Sequence, residues 1–296
     1  EIGEGGSIIT RYENGQKEFE VNWKDGKKDG KWTWWEENGQ KKSEANWKDG
    51  KQDSRTDYYY YENGQIKEEE NYKDGKLDGK FTAWHENGQK RFERNYKDDK
   101  LDGKLTWWHE NGQTVVEGNY KDGKKDGKWT EWHENGQKEW EEYYKDGKEV
   151  SQTDYYYYEN GQIEAEVNWK DDKKHGKETG WYENGQKEWE EYYKDGIPDG
   201  EWISWLENGS QSGEGSFIDG TGTSLYLHEN KKKSQEVILK DGSGKFTWWH
   251  ENGQKKFEDY YKDGKFIGYT RYSYYENGQK WTETNYKDDK MDGKWT

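Results

Sequence analysis

Histidine ligates metals and moves protons near neutral pH. Four of the six histidines in this chain, His85, His109, His133 and His250, share one place, directly before Glu-Asn-Gly. If each copy of that phrase closes a hairpin, equivalent histidines sit two strands, or about 9.6 Å, apart. Zinc needs donor atoms about 2 Å from the ion, so the row cannot converge on one metal, and half-exposed strand positions are expected instead. Asp25 with Asp29, and Asp122 with Asp126, lie in glycine-containing loops that suggest calcium, but lysines occupy the places between them. A calcium loop needs closely alternating acids and a late glutamate, so turn-forming aspartate is the expectation. Carboxylates at the roughly 5–9.5 Å spacing of glycosidases would occur all along such a sheet, and no repeat carries an acidic cluster that the others lack. Neither a glycine-rich phosphate loop nor a Gly-x-Ser-x-Gly elbow is present. No catalytic residue, cofactor or metal site is expected, and the chain reads as a non-enzyme.

Aromatic rings are the chemistry that remains. The chain holds 20 Trp, 25 Tyr and 7 Phe. One tryptophan recurs two residues before Glu-Asn-Gly, as Trp35, Trp84, Trp108, Trp132, Trp181, Trp205 and Trp249. Tyrosines form two runs, Tyr58, Tyr59, Tyr60, Tyr61 and Tyr155, Tyr156, Tyr157, Tyr158, inside "TDYYYYENGQI" copies that start 97 residues apart. Exposed ladders of this kind can meet a protein surface, stack on sugars or enclose a quaternary ammonium. The tyrosine runs read either as relics of duplication that pack like their neighbours or as a contact site recurring once per four hairpins.

What holds these rings in place is a phrase repeated along nearly the whole chain. Glu-Asn-Gly recurs from Glu13 to Glu276, mostly 24 or 25 residues apart, with a worn Glu229-Asn230-Lys231 in the one gap. Lys-Asp-Gly or Lys-Asp-Asp alternates with it, giving twelve units. A fixed period of this size means a repeat architecture. Asn-Gly between runs rich in Trp, Tyr and Thr signals a two-residue type I′ hairpin turn, with positive φ at both residues. That turn would set Glu37 opposite Gln40, Trp35 opposite Lys42, Trp34 opposite Ser43 and Trp32 opposite Ala45. Lys-Asp-Gly reads as a longer turn leading to the next hairpin. The expectation is all-β: a tandem β-hairpin repeat array, an elongated antiparallel meander of about two dozen strands. Strand alternation gathers Trp32, Trp34 and Trp47 on a buried face. It leaves Thr33 and Glu44 with the Trp35 ladder on a polar one, an assignment that a one-residue bulge would reverse.

Composition agrees with a thin structure. Hydrophobic residues are 27%, charged residues 38%, and the formal charge is −16. The apolar surface is aromatic rather than aliphatic, too little for a thick interior. The acidic balance argues against nucleic acid and against anionic lipid. No cysteine is present, and no apolar stretch approaches the roughly 20 residues of a membrane span.

"YENGQIKEEENYKDGKLDGKFTAWHENGQKRFERNYKDDKLDGK" resembles the bacterial variant of the MORN repeat, including the YwqK-type antitoxin group. The resemblance runs from about Arg11 to Thr296 and weakens from Ser210 to Leu239. It implies β-hairpin units acting as protein- or membrane-associated scaffolds, and through the antitoxin group a toxin protein as partner. The expected organisation is hairpin repeats over 1–209, a degenerate repeat over 210–240, and repeats resuming over 241–296. The expected role is a scaffold binding a toxin or further copies of itself head to tail. That last idea draws on Lys294, Trp295 and Thr296, which read as an outgoing strand without a return. The alternative is a carbohydrate- or choline-binding module of the cell wall. The compartment stays open, a bacterial surface or extracellular setting being favoured over the cytoplasm.

Overall fold

A computed structural model describes residues 5–287 and 290–291. The expectation for Lys294, Trp295 and Thr296 lies outside them. Among the described residues there are 29 strands, every pairing is antiparallel, and no helix occurs. The count exceeds two dozen because several outgoing strands are interrupted. Lys27–Lys28 precedes Gly30–Trp35, Lys124–Lys125 precedes Gly127–Trp132, and Lys173–Lys174 precedes Gly176–Trp181. At each break the glycine of the Asp-Gly-Lys or His-Gly-Lys phrase has positive φ, as at Gly30 (+88°) and Gly176 (+97°).

The chain divides into two compact units, Glu1–Val150 and Ser151–Thr296. In the first, Gly6–Arg11 pairs with Lys17–Lys24, Gly30–Trp35 with Lys41–Lys48, and the meander continues to Gly127–Trp132 with Lys138–Lys145. In the second, Gly176–Trp181 pairs with Lys187–Lys194 and Gly200–Trp205 with Gln211–Ile218, and the same order runs on to Lys280–Lys287.

The two kinds of turn exchange the geometries expected of them. At Glu36-Glu37-Asn38-Gly39 the Gly39 N–H donates to the Glu36 carbonyl (2.8 Å), and the Glu36 N–H donates to the Gln40 carbonyl (2.7 Å). Gly39 has φ +85°, while Asn38 is not among the positive-φ residues. This is a type I turn followed by a left-handed glycine, the hairpin loop that ends in a bulge. The two-residue type I′ turn belongs instead to Asp-Gly: Asp25 and Gly26 have φ +49° and +72°, with Lys24 opposite Lys27. Asp-Asp serves equally well at Asp98 and Asp99, +48° and +65°.

The register changes accordingly. Trp34 faces Ser43 and Trp32 faces Ala45 as expected, but Trp35 faces Lys41 rather than Lys42. The extra residue, Lys42, is on the returning strand, so Trp35 keeps its side of the sheet. The shift recurs at Trp84–Lys90, Trp108–Thr114 and Trp132–Lys138, and in the second unit at Trp181–Lys187 and Trp249–Lys255.

The face of Trp32 is the buried one. In the first unit Trp32, Phe92 and Trp129 are buried, with ring centroids 5.3 Å apart for Trp23–Trp32, 5.2 Å for Phe81–Phe92 and 5.1 Å for Tyr120–Trp129. Rings do the work of aliphatic filler, and offset contacts between them stabilise beyond area burial. In the second unit the worn stretch keeps the meander, Gln211–Ile218 pairing with Thr221–Leu227 and that with Lys233–Lys240. Its Phe217, Tyr226, Val237 and Leu239 form a compact core with Trp202 of the preceding hairpin strand.

Candidate partner-binding face

The polar face is built around one glutamate per hairpin. Glu44, opposite Thr33, sits between Lys31 Nζ (2.8 Å) and Lys41 Nζ (2.7 Å). Residues three apart on a regular strand point to opposite faces. Lys41 and Glu44 meet because the bulge at Lys42 adds a residue between them. The clamp repeats as Lys80–Glu93–Lys90 and Lys128–Glu141–Lys138, and in the second unit as Lys177–Glu190–Lys187 and Lys245–Glu258–Lys255. Burial alone would raise the Glu258 carboxyl. Hydrogen bonds from Tyr272, Lys245 and Lys255 outweigh that and hold it down at about 2. Beneath the clamps Thr33, Thr82 and Thr106 are buried, so this face is covered at its centre.

The tryptophan ladder runs along the same face. Lys17 ties the two together: its ammonium is 2.8 Å from Glu20 and 5.2 Å from the Trp35 ring centre. The lysine of one hairpin likewise lies over the next rung at Trp108 (Lys90, 5.7 Å), Trp205 (Lys187, 5.9 Å) and Trp249 (Lys233, 5.5 Å). Trp84, Trp132 and Trp181 follow hairpins in which Ile66, Thr114 and Ile163 occupy the lysine's place. Among the described residues no cation lies over those three rings. All seven tryptophans are half-buried. The lysine was not anticipated as part of the face, though its signal is plain in the sequence: Asn-Gly-Gln-Lys against Asn-Gly-Gln-Ile or Asn-Gly-Gln-Thr.

The structure divides each tyrosine run among different tasks. Tyr60 and Tyr157 stand at ladder positions, opposite Ile66 and Ile163. The Tyr58 hydroxyl reaches Glu44 Oε2 (3.2 Å), and Tyr272 does the same for Glu258 (2.7 Å). Tyr61 donates to the Trp84 carbonyl (2.7 Å) and Tyr158 to the Trp181 carbonyl (2.7 Å). Tyr59 and Tyr156 point to the opposite face, 45% and 46% exposed, so tyrosine is indeed presented on both sides.

His85, from the histidine row, and His228, before the worn turn, have the job of Tyr61, whereas the His109 Nε2 is buried without a hydrogen-bond partner. His85 Nε2 contacts the Trp108 carbonyl (3.0 Å) and His228 Nε2 the Trp249 carbonyl (3.0 Å), each pinning one turn to the next. Asn14 and Asn87 Nδ2 donate to the carbonyls of Glu37 and Glu110, and Gln40 Nε2 to that of Gly64. Each residue of Glu-Asn-Gly-Gln is thus engaged within its own turn or with the next. Among the described residues no group of three or more His, Cys, Asp or Glu is placed to hold a metal ion.

One acidic feature is not repeated, contrary to the expectation that no unit would carry its own. In the second unit Glu178 stands where other repeats have Trp32 or Trp129, directly opposite Glu191. Lys174 Nζ is 2.7 Å from Glu178 Oε2, while Glu178 Oε1 is buried without a hydrogen-bond partner. Burial raises the Glu191 carboxyl to about 7 against the pull of Lys174, and raises Glu178 as well.

An all-β array of tandem hairpins, each unit with an aromatic–lysine face and an aromatic core, is by class a repeat scaffold or binding module. The chain belongs to the MORN repeat variant family, whose model matches residues 28–49, 58–74, 77–98, 101–122, 125–146, 155–171, 243–263 and 270–288, more than half of its length. Among solved structures it is similar to the TcdB2-TccC3 crystal structure, at 12% identity and TM-score 0.26, covering 93% of this chain and 17% of that one. The Photorhabdus luminescens Tc holotoxin pore gives 11% identity, TM-score 0.26 and the same coverages. At such TM-scores these likenesses carry no argument. No curated protein sequence matches significantly.

Proposed function

We propose that this chain is a non-enzymatic scaffold that binds a protein partner along the tryptophan ladder, the partner being a basic toxin or a further copy of itself. The observation that carries this reading is the division of the ladder into covered and uncovered rings. Trp35, Trp108, Trp205 and Trp249 are covered by the chain's own lysines, whereas Trp84, Trp132 and Trp181 present rings without one. Half-buried aromatic side chains on a rigid sheet offer contact area at little entropic cost. The clamped glutamates suit such a surface, since neighbouring lysines already neutralise them. The same three rings favour the second reading, a quaternary ammonium or sugar bound at the cell wall, because a ring free of lysine is open to such a ligand.

The test is the double variant W84A/W132A, compared with the native chain in light scattering and in crosslinking to candidate basic proteins. Loss of self-association or of crosslinking in the variant is the expected result. A native chain that stays monomeric at high concentration sinks the self-assembly arm, and unchanged crosslinking sinks the ladder. Saturable quenching of tryptophan fluorescence by choline or an oligosaccharide, lost in the same variant, would favour the second reading.

A further inference from the structure

The second unit contains a groove of about 540 Å³ at the Glu-Asn-Gly ends of its strands, within the roughly 300–1,000 Å³ range of ligand pockets. Comparison of repeats shows how it arises. In the first unit Trp34 and Lys42 stand together at this place, the lysine ammonium 3.3 Å from Glu36, and Ala83 is accompanied by Arg91. In the second unit the equivalent pairs are Gly180 with Glu188 and Ser204 with Ser212. Ring and cation are both gone: Ser204 and Ser212 hydroxyls meet at 2.8 Å where the bulk used to be. Trp189 lies across Gly180, where a Cβ would come 2.3 Å from its ring.

The charge around this space is one-sided. Glu188, Glu191, Glu207, Glu229 and Glu251 line it, with His228 as the basic side chain and no lysine or arginine. Among the described residues none of these five carboxylates makes an ion pair, unlike the clamped glutamates of the polar face. Tyr182, Trp189 and Tyr226 supply aromatic walls. The Tyr182 hydroxyl is pushed up by burial and by the nearby Glu188 and Glu207 carboxylates.

We propose that this groove holds a lysine- or arginine-bearing segment of a protein partner, restoring the cation and the bulk that Lys42 and Trp34 supply in an early hairpin of the first unit. The proposal rests on the reading of the chain as a protein-binding scaffold, but it names a different surface from the ladder. Cationic side chains satisfy carboxylates and aromatic faces together, and a guanidinium fits both best.

A blocked tetra-arginine peptide, titrated at low salt against the intact chain, reads the groove through tryptophan fluorescence. Saturable binding is expected, weakened at least tenfold in E188Q/E229Q. One control should bind as the native chain does: E13Q/E86Q, the same charge change at turns of the first unit. Circular dichroism establishes that each variant is folded. Absence of saturable binding to the native chain, or equal weakening by E13Q/E86Q, overturns the proposal. So does choline binding with the same dependence on Glu188 and Glu229, which would make the occupant a small cation. Failure of the ladder reading appears in the crosslinking and light scattering of W84A/W132A, and failure of the groove in the peptide titration of E188Q/E229Q, so the two outcomes are separable.

Discussion

Two glutamates on opposite faces of the second unit respond to pH with opposite signs. Glu191 is raised from 4.5 to about 7 in the folded chain. Between those values the folded state keeps a proton that the unfolded state has lost, so stability declines as pH rises from about 4.5 through 7. The 2.5-unit difference sets a ceiling of about 3 kcal/mol. E191Q, neutral at all pH, should melt above the native chain at pH 8 and level with it at pH 4.5. A constant difference at both values would mean that the carboxyl is not held as described. Glu258, lowered from 4.5 to about 2, contributes stability that is full above 4.5 and is lost as pH falls toward 2. E258Q should therefore melt below the native chain at pH 7, with the gap closing at pH 2. Lys231 offers a simpler case. It holds φ +61° in the place of a turn glycine, and a left-handed residue with a side chain costs about 1 kcal/mol. K231G should raise the melting temperature by a few degrees, and an unchanged or lower value would contradict the strain.

At the scale of the hairpin, the Glu-Asn-Gly-Gln turns act as interlocking parts. A Cβ on Gly112 would lie 2.6 Å from Gln89 Oε1, and Gly112 has φ +84°. G112A should lose about 1–2 kcal/mol. In a Q89A background the steric part disappears and only the backbone part remains, so chemical denaturation of the four variants should show positive coupling. Purely additive losses would place the strain elsewhere. The strands, their order and the aromatic face were legible in the sequence because alternation and turn residues act locally. The turn types were not. Asn-Gly satisfies a type I′ turn and a type I turn with a bulge equally well. The choice between them is made by Gln40 and Glu36 closing the wider loop, and by the next copy accepting it. The histidines were legible as a row, but His85 was not legible as a pin, because its partner is a backbone carbonyl 23 residues ahead. The groove was legible only by aligning repeats, where Trp34 and Lys42 become Ser204 and Ser212.

Across each whole unit, stability is the sum of hairpins and of contacts with nearest neighbours. A local lesion should therefore stay local. In G112A, hydrogen exchange should quicken in the strands from Lys90–Lys97 to Lys138–Lys145 and keep its native protection in Gly6–Arg11 and Lys17–Lys24. Uniform acceleration over all of them would reveal a single cooperative block instead. The pins between turns also bear on ancestry. Tyr12 donates to the Trp35 carbonyl, Tyr61 to that of Trp84 and Tyr182 to that of Trp205, each with the same geometry. A module that presents one socket behind and one plug ahead has no preferred place in the queue. Unequal crossing-over can then insert or delete modules without retuning those that remain, as the 97-residue echo of Thr56–Ile66 at Thr153–Ile163 records.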